Sequence, residues 1–93
     1  MALAHSNITV GTTPQLIFTV PSGMPPTQVT IQNLDAAAIF IGDSTIAASG
    51  PTVGHRVNAG TDHTRLYYGG DQIWAVSAAG TTAGAVTLLY VTN

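Results

Sequence analysis

Thr27-Gln28-Val29-Thr30-Ile31-Gln32-Asn33 and Ala85-Val86-Thr87-Leu88-Leu89-Tyr90-Val91 are the two stretches on which the fold turns. In the first, Val29 and Ile31 fall on one side of an extended chain, and Gln28, Thr30 and Gln32 on the other. A period of two with one wet side describes an antiparallel strand lying on a core. In the second stretch Val86, Leu88 and Tyr90 share one side, Ala85, Leu89 and Val91 share the other, and only Thr87 is polar. Leu16-Ile17-Phe18 and Ala38-Ile39-Phe40-Ile41 are also apolar on both sides. Such strands need cover on both faces, whereas a two-sheet sandwich covers only one. The second cover is expected from another chain, most simply another copy, or from a long loop lying over the strand.

Working outward, Gly, Pro, Asn and Asp punctuate the chain every 8–12 residues, with β-branched and aromatic runs between them, as in a sandwich or barrel. Strands are expected near 7–10, 15–20, 27–33, 37–41, 44–47, 53–58, 63–68, 72–78 and 85–92. Pro21-Ser22-Gly23, Asn33-Leu34-Asp35, Gly42-Asp43, Ser49-Gly50-Pro51, Gly69-Gly70-Asp71 and Gly80 to Gly84 supply the turns. No window sustains a 3.6-residue period with caps, and the nearest rival, Asp35-Ala36-Ala37-Ala38, is under two turns long. The reading is a single all-β domain over 1–93: an antiparallel sandwich or jelly roll of about eight short strands, with 1–7 as an arm or extra strand. Both orders of strands remain open.

Composition narrows the function. The chain has 93 residues, no cysteine, and 6% charged residues: Arg56 and Arg65 against Asp35, Asp43, Asp62 and Asp71. Globular proteins average about 25%. A free monomer is normally kept soluble by mixed surface charge, so this surface suits a subunit covered by its neighbours. Two cations are too few to neutralise phosphates, which argues against nucleic acid. The first residues lack a basic region and a long apolar run, and no stretch reaches the roughly 20 apolar residues of a membrane helix. A soluble chain that contacts neither membrane nor nucleic acid is expected.

Chemistry-bearing residues are sparse. Phe40-Ile41-Gly42-Asp43-Ser44-Thr45 resembles the nucleophile block of the Gly-Asp-Ser lipases and esterases. That family pairs its Ser with an Asp-x-x-His, which this chain lacks, and no His follows His63. The block reads better as a turn, and no enzyme activity is expected. His5, His55 and His63 lack a metal-ligand spacing, so they are expected to be isolated surface or interface residues, with no metal and no cofactor. Arg56 and Arg65 should either pair with Asp62 or Asp71, or anchor a contact between chains. Tyr67, Tyr68 and Trp74 flank the Gly69-Gly70-Asp71 turn. Alternation with Val76 and Ala78 puts Trp74 inward and leaves Tyr67 as the exposed ring. The candidate partner-contacting residues are therefore Arg56, Arg65, Tyr67, Leu89 and Val91.

From residue 27 onward the chain resembles small β-rich structural proteins of tailed bacteriophages. The likeness runs through Val29-Thr30-Ile31-Gln32-Asn33, Ile39-Phe40-Ile41-Gly42-Asp43-Ser44, Val57-Asn58-Ala59-Gly60, Gly70-Asp71-Gln72-Ile73-Trp74-Ala75-Val76-Ser77-Ala78-Ala79-Gly80-Thr81 and the closing apolar strand. It implies a virion component of sandwich or jelly-roll type, often trimeric. The expectation is a capsid decoration (cement) subunit on the head surface that binds major capsid protein and itself as a homotrimer. The competing expectation is a tail- or head-fibre module that recognises a host glycan through Tyr67 and polar loops.

Overall fold

A computed structural model describes residues 2–23, 25–47, 50, 53–81 and 83–92. Eight strands are present: β1 (Ala2–Ile8), β2 (Gln15–Thr19), β3 (Thr27–Asn33), β4 (Ile39–Gly42), β5 (His55–Val57), β6 (Asp62–Tyr67), β7 (Gln72–Val76) and β8 (Val86–Thr92). They form two four-stranded sheets, β1-β8-β3-β6 and β2-β7-β4-β5, paired antiparallel throughout. Strand β1 pairs with β8, β2 with β7, β3 with β6 and β4 with β5, as though one long hairpin had been rolled up. This nesting is the jelly-roll order, and it settles the choice that periodicity left open.

The core lies between the sheets. Val29 and Ile31 of β3, Val86 and Leu88 of β8, Ile39 and Ile41 of β4, Ile73 and Ala75 of β7, and Val57 of β5 are buried together with Val10. Each fully buried Val, Leu or Ile contributes about 1.5–3 kcal/mol. Alternation in β3 places Gln28, Thr30 and Gln32 outside, as its period of two requires. Phe18 of β2 tilts against Tyr90 of β8 with ring centroids 4.6 Å apart.

One buried polar side chain organises the β3–β4 connection. Asn33 has no exposed surface, and its Nδ2 donates to Ala37 O at 2.8 Å and Val57 O at 3.1 Å. Its Oδ1 accepts from Asp35 N at 3.1 Å, and Asp35 Oδ2 accepts from Ala37 N at 2.9 Å. These bonds hold residues 35–37 as bends in place of a helical turn, because the side chains outcompete the i→i+4 ladder for the backbone groups.

Three expectations change. Residues 2–7, read as an arm or an extra strand reaching a neighbour, form a strand of this chain's own sheet, β1, whose register runs without a break from Ala2↔Thr92 to Ile8↔Val86. Ala, Ser and Asn are poor strand formers, but pairing along β8 outweighs that local preference. The strand expected at 44–47 is absent: the segment after β4 is a loop, joined to its own far end by a single parallel bridge, Ala47↔Val53. Trp74 points outward, since Ile73 and Ala75 take the core side of β7. Of the expected turns, Ser49, Pro51 and Thr82 lie outside the described residues.

Candidate functional site

Three features of the sandwich are candidates for function: the outer face of each sheet and the side where β5 and β6 meet.

On the β2-β7-β4-β5 sheet, register puts Phe40 opposite Val76 and Arg56, and Trp74 opposite Leu16 and Gly42. Phe40, Val76 and Ile46 are buried in a second small cluster, with Trp74 packed against it. The cover is the chain's own loop after β4. Asp43 starts it: its Oδ1 accepts from Thr45 N at 2.9 Å and Thr45 Oγ1 at 2.6 Å, and these bonds hold its carboxyl below the ordinary value. The motif that resembled a nucleophile block is thus a turn, with Ser44 exposed. Two glycines let the loop lie flat. A Cβ on Gly42 would collide with Ile46 Cγ2, and one on Gly54 would stand 2.6 Å from Ile41 O. Arg56 lies 5.9 Å over the Phe40 ring and donates from Nε to Asn58 Oδ1 at 2.6 Å. It supports this cluster; pairing with Asp62 or Asp71 is replaced by the ring and the Asn58 amide.

The β1-β8-β3-β6 sheet differs. Its outer face carries Leu3, His5 and Asn7 of β1, Thr87 and Leu89 of β8, Gln28, Thr30 and Gln32 of β3, and Asp62, Thr64 and Leu66 of β6, matched row by row. Leu3 is 71% exposed, Leu66 47% and Leu89 40%. Val91 pairs with Leu3 in register; its side chain lies outside the described residues. Threonine hydroxyls bond laterally across the face, Thr30 to Thr64 at 2.8 Å. Asp62 is the one charged residue on these rows.

The ends of the sheets add a further contrast. Four strands are edges: β1, β6, β2 and β5. Exposed edges invite pairing with other chains, and bulges, charges or extreme shortness discourage it. Strand β2 has a register shift between Leu16 and Phe18, β5 has three residues, and β6 carries Asp62 and Arg65. Strand β1, seven residues long with unbroken register, has none of these defences.

The third feature is a cleft of about 330 Å³ lined by residues of β4, β5, β6 and β7. Strand β6 sends His63, Arg65 and Tyr67 toward the other sheet, opposite Ile31, Val29 and Thr27, whereas β3 sends Val29 and Ile31 and β8 sends Val86 and Leu88. The sandwich is therefore open along this side. His55 and His63 stack with centroids 4.3 Å apart, so two histidines expected to be isolated converge. Burial, then the neighbouring His55 and Arg65 charges, hold the His63 pKa below its ordinary 6.5. Arg65 lies 5.9 Å over the Tyr67 ring. Tyr67 is half-buried, its hydroxyl pKa raised chiefly by that burial; the exposed ring is Tyr68, at 59%. The turn after β6 is fixed by Asp71, whose Oδ2 accepts from Tyr68 N at 2.8 Å, and by Gly70 at φ 90°.

The five candidate contact residues therefore fall in three places: Arg56 in the loop-covered cluster, Arg65 and Tyr67 in the cleft, and Leu89 and Val91 along β8 of the open sheet. Among the described residues, no group of three or more His, Asp, Glu or Cys is placed to hold a metal, and no helix is long and apolar enough to cross a membrane. Comparison with protein-family models, with curated proteins and with solved structures finds no match.

Proposed function

We propose that this chain is a structural subunit of a tailed-phage virion, a capsid decoration protein that forms a homotrimer and cements the outer surface of the head. The observation that carries this reading is the undefended β1 edge beside a nearly uncharged sheet face bearing Leu3, Leu66 and Leu89. A sheet face with exposed apolar residues and one carboxylate fits a protein neighbour better than it fits water. The jelly-roll order and the resemblance of residues 27–93 to phage structural proteins support the same reading. A subunit that binds only the assembled shell stabilises it by mass action, and closed threefold symmetry matches local threefold points of a shell.

The test mixes purified protein with empty phage heads lacking it and sediments the mixture. Saturable co-sedimentation at a stoichiometry set by shell symmetry is expected. Protein that stays in the supernatant at saturating concentration contradicts the assignment. The fibre-module reading keeps one specific observation in its favour, the cleft flanked by exposed Tyr68.

A further inference from the structure

Strand β6 departs from the apolar inner pattern of β3 and β8. Its inward positions, 63, 65 and 67, carry an imidazole, a guanidinium and a phenol, and β5 adds a second imidazole at 55. These polar groups line the side of the gap between the sheets, where His63 and Tyr67 are partly buried and Arg65 and His55 stay exposed, and they leave a concave opening in place of packed core. The volume, about 330 Å³, lies within the range of sites that hold a small molecule. The lining is also polarised. At the β5 end stand His55 and His63, with the Arg65 charge felt by both His63 and Tyr67. At the other end stand Asp71, Gln72, the Tyr67 hydroxyl and the Tyr68 ring.

We propose that this cleft binds one carboxylated sugar residue of the uronic-acid type, with the carboxylate toward Arg65, His55 and His63 and the hydroxyls toward Asp71 and Gln72. A guanidinium is the side chain best shaped to grip a carboxylate through two parallel N–H donors. Arg65 is one of only two cations in the chain. Its partner is an aromatic ring, which leaves the N–H edge of the guanidinium to a ligand. Asp71 already spends one oxygen on the Tyr68 amide, which fixes it as an acceptor for hydroxyl donors. A bare carboxylate would fill only a fraction of the opening, whereas a pyranose ring spans both ends and can lie against Tyr68. The inference is independent of the assembly reading, because it uses the β5–β6 opening and leaves the β1 edge and its face untouched.

The pH dependence follows from the facing groups. His55, His63, Arg65, Tyr67, Tyr68 and Asp71 are the titratable residues lining the cleft. His63, whose pKa burial and the His55 and Arg65 charges hold below its ordinary value, gains positive charge where the carboxylate sits as pH falls toward that lowered value. Binding should tighten as pH falls.

Calorimetric titration of the full chain with galacturonate, galactose and acetate tests this. Galacturonate is expected to bind, more tightly at pH 5.5 than at 7.5, with galactose and acetate each at least about tenfold weaker. Arg65→Gln should weaken galacturonate by about tenfold or more, the scale of one lost charge-assisted pair. Arg56→Gln, on the other sheet's outer face, should change nothing. Circular dichroism checks that each variant is folded; if Arg65→Gln fails that check, a folded Arg65→Lys, which keeps the charge but loses the two parallel donors, should bind galacturonate more weakly than the parent, and parental affinity would overturn the site. Acetate binding as tightly as galacturonate would overturn the sugar assignment. No galacturonate binding at millimolar concentration, or unchanged binding by a folded Arg65→Gln, would overturn the site.

Discussion

The two sheets share one core and have opposite outer faces. Outside β2-β7-β4-β5, Phe40 and Val76 are apolar and the chain covers them itself: the loop after β4 folds back, Ile46 seats among them, and Phe40 is left 8% exposed. Outside β1-β8-β3-β6, Leu3, Leu66 and Leu89 are apolar and uncovered by the described residues. A strand apolar on both faces therefore has two solutions in one small domain. Local cover needs a loop long enough to return and glycines that let it lie flat, which Gly42 and Gly54 provide. Strand β8 sits between β1 and β3 at the middle of its sheet, and Leu89 on its outer side stays 40% exposed among the described residues. That difference is the physical basis for the proposal that assembly uses the uncovered sheet face, while the other face is closed by the chain's own loop.

Substitutions can break the comparison at several strengths. The largest effect is expected at Phe40→Ala, which empties the loop-covered cluster and should cost about 3–5 kcal/mol in denaturant unfolding, a large share of the 5–15 kcal/mol typical of a small domain. Gly54→Ala forces a Cβ against the Ile41 carbonyl, a backbone group that cannot swing away. It should cost about 1–3 kcal/mol, as overpacking does, measured the same way. If either variant unfolds with parental stability, the loop is not structural cover. On the open face the signs should reverse: Leu3→Lys or Leu89→Thr should change monomer stability by less than about 0.5 kcal/mol yet lower the mass of the assembly seen by light scattering. A loss of stability equal to that at Phe40 would make the open face an ordinary part of the fold.

The smallest effect is electrostatic. His63 has its pKa lowered in the folded chain, so the unfolded chain takes up the proton first. Proton uptake by the unfolded state favours unfolding, and this group's contribution is lost as pH falls from 6.5 toward its folded pKa. Unfolding midpoints should therefore drop more steeply between pH 6.5 and 5 in the parent than in His63→Gln. Equal slopes would mean that the stacked pair is not sensed by stability.

What could be read in the sequence follows from where each signal originates. Strands at 15–20, 27–33, 63–68, 72–78 and 85–92 match β2, β3, β6, β7 and β8 closely, because their alternation is local. Strand β1 was invisible from 2 to 6, since Ala, His and Ser acquire strand geometry only by pairing with β8. The apolar Ile46 suggested a strand, but its burial comes from a loop anchored at Asp43, a side-chain-to-backbone pattern that periodicity does not report. Trp74 was given the wrong side of β7, since a one-residue choice of register moves every side chain across the sheet. The cleft was half legible: His63, Arg65 and Tyr67 share a face by spacing alone, while their inward orientation depends on pairing with β3, and the approach of His55 depends on β5 lying beside them.

The assembly claim rests most directly on the mass of the purified chain in solution, measured by analytical ultracentrifugation beside Leu3→Lys. A parent at three times the chain mass of 9.5 kDa, with the variant reduced to monomer at the same concentration, is the predicted result. A dimer would point to β1 edges paired across a twofold axis and would contradict the trimer. A monomeric parent at high concentration would contradict the claim that this edge and face exist to be covered by other copies.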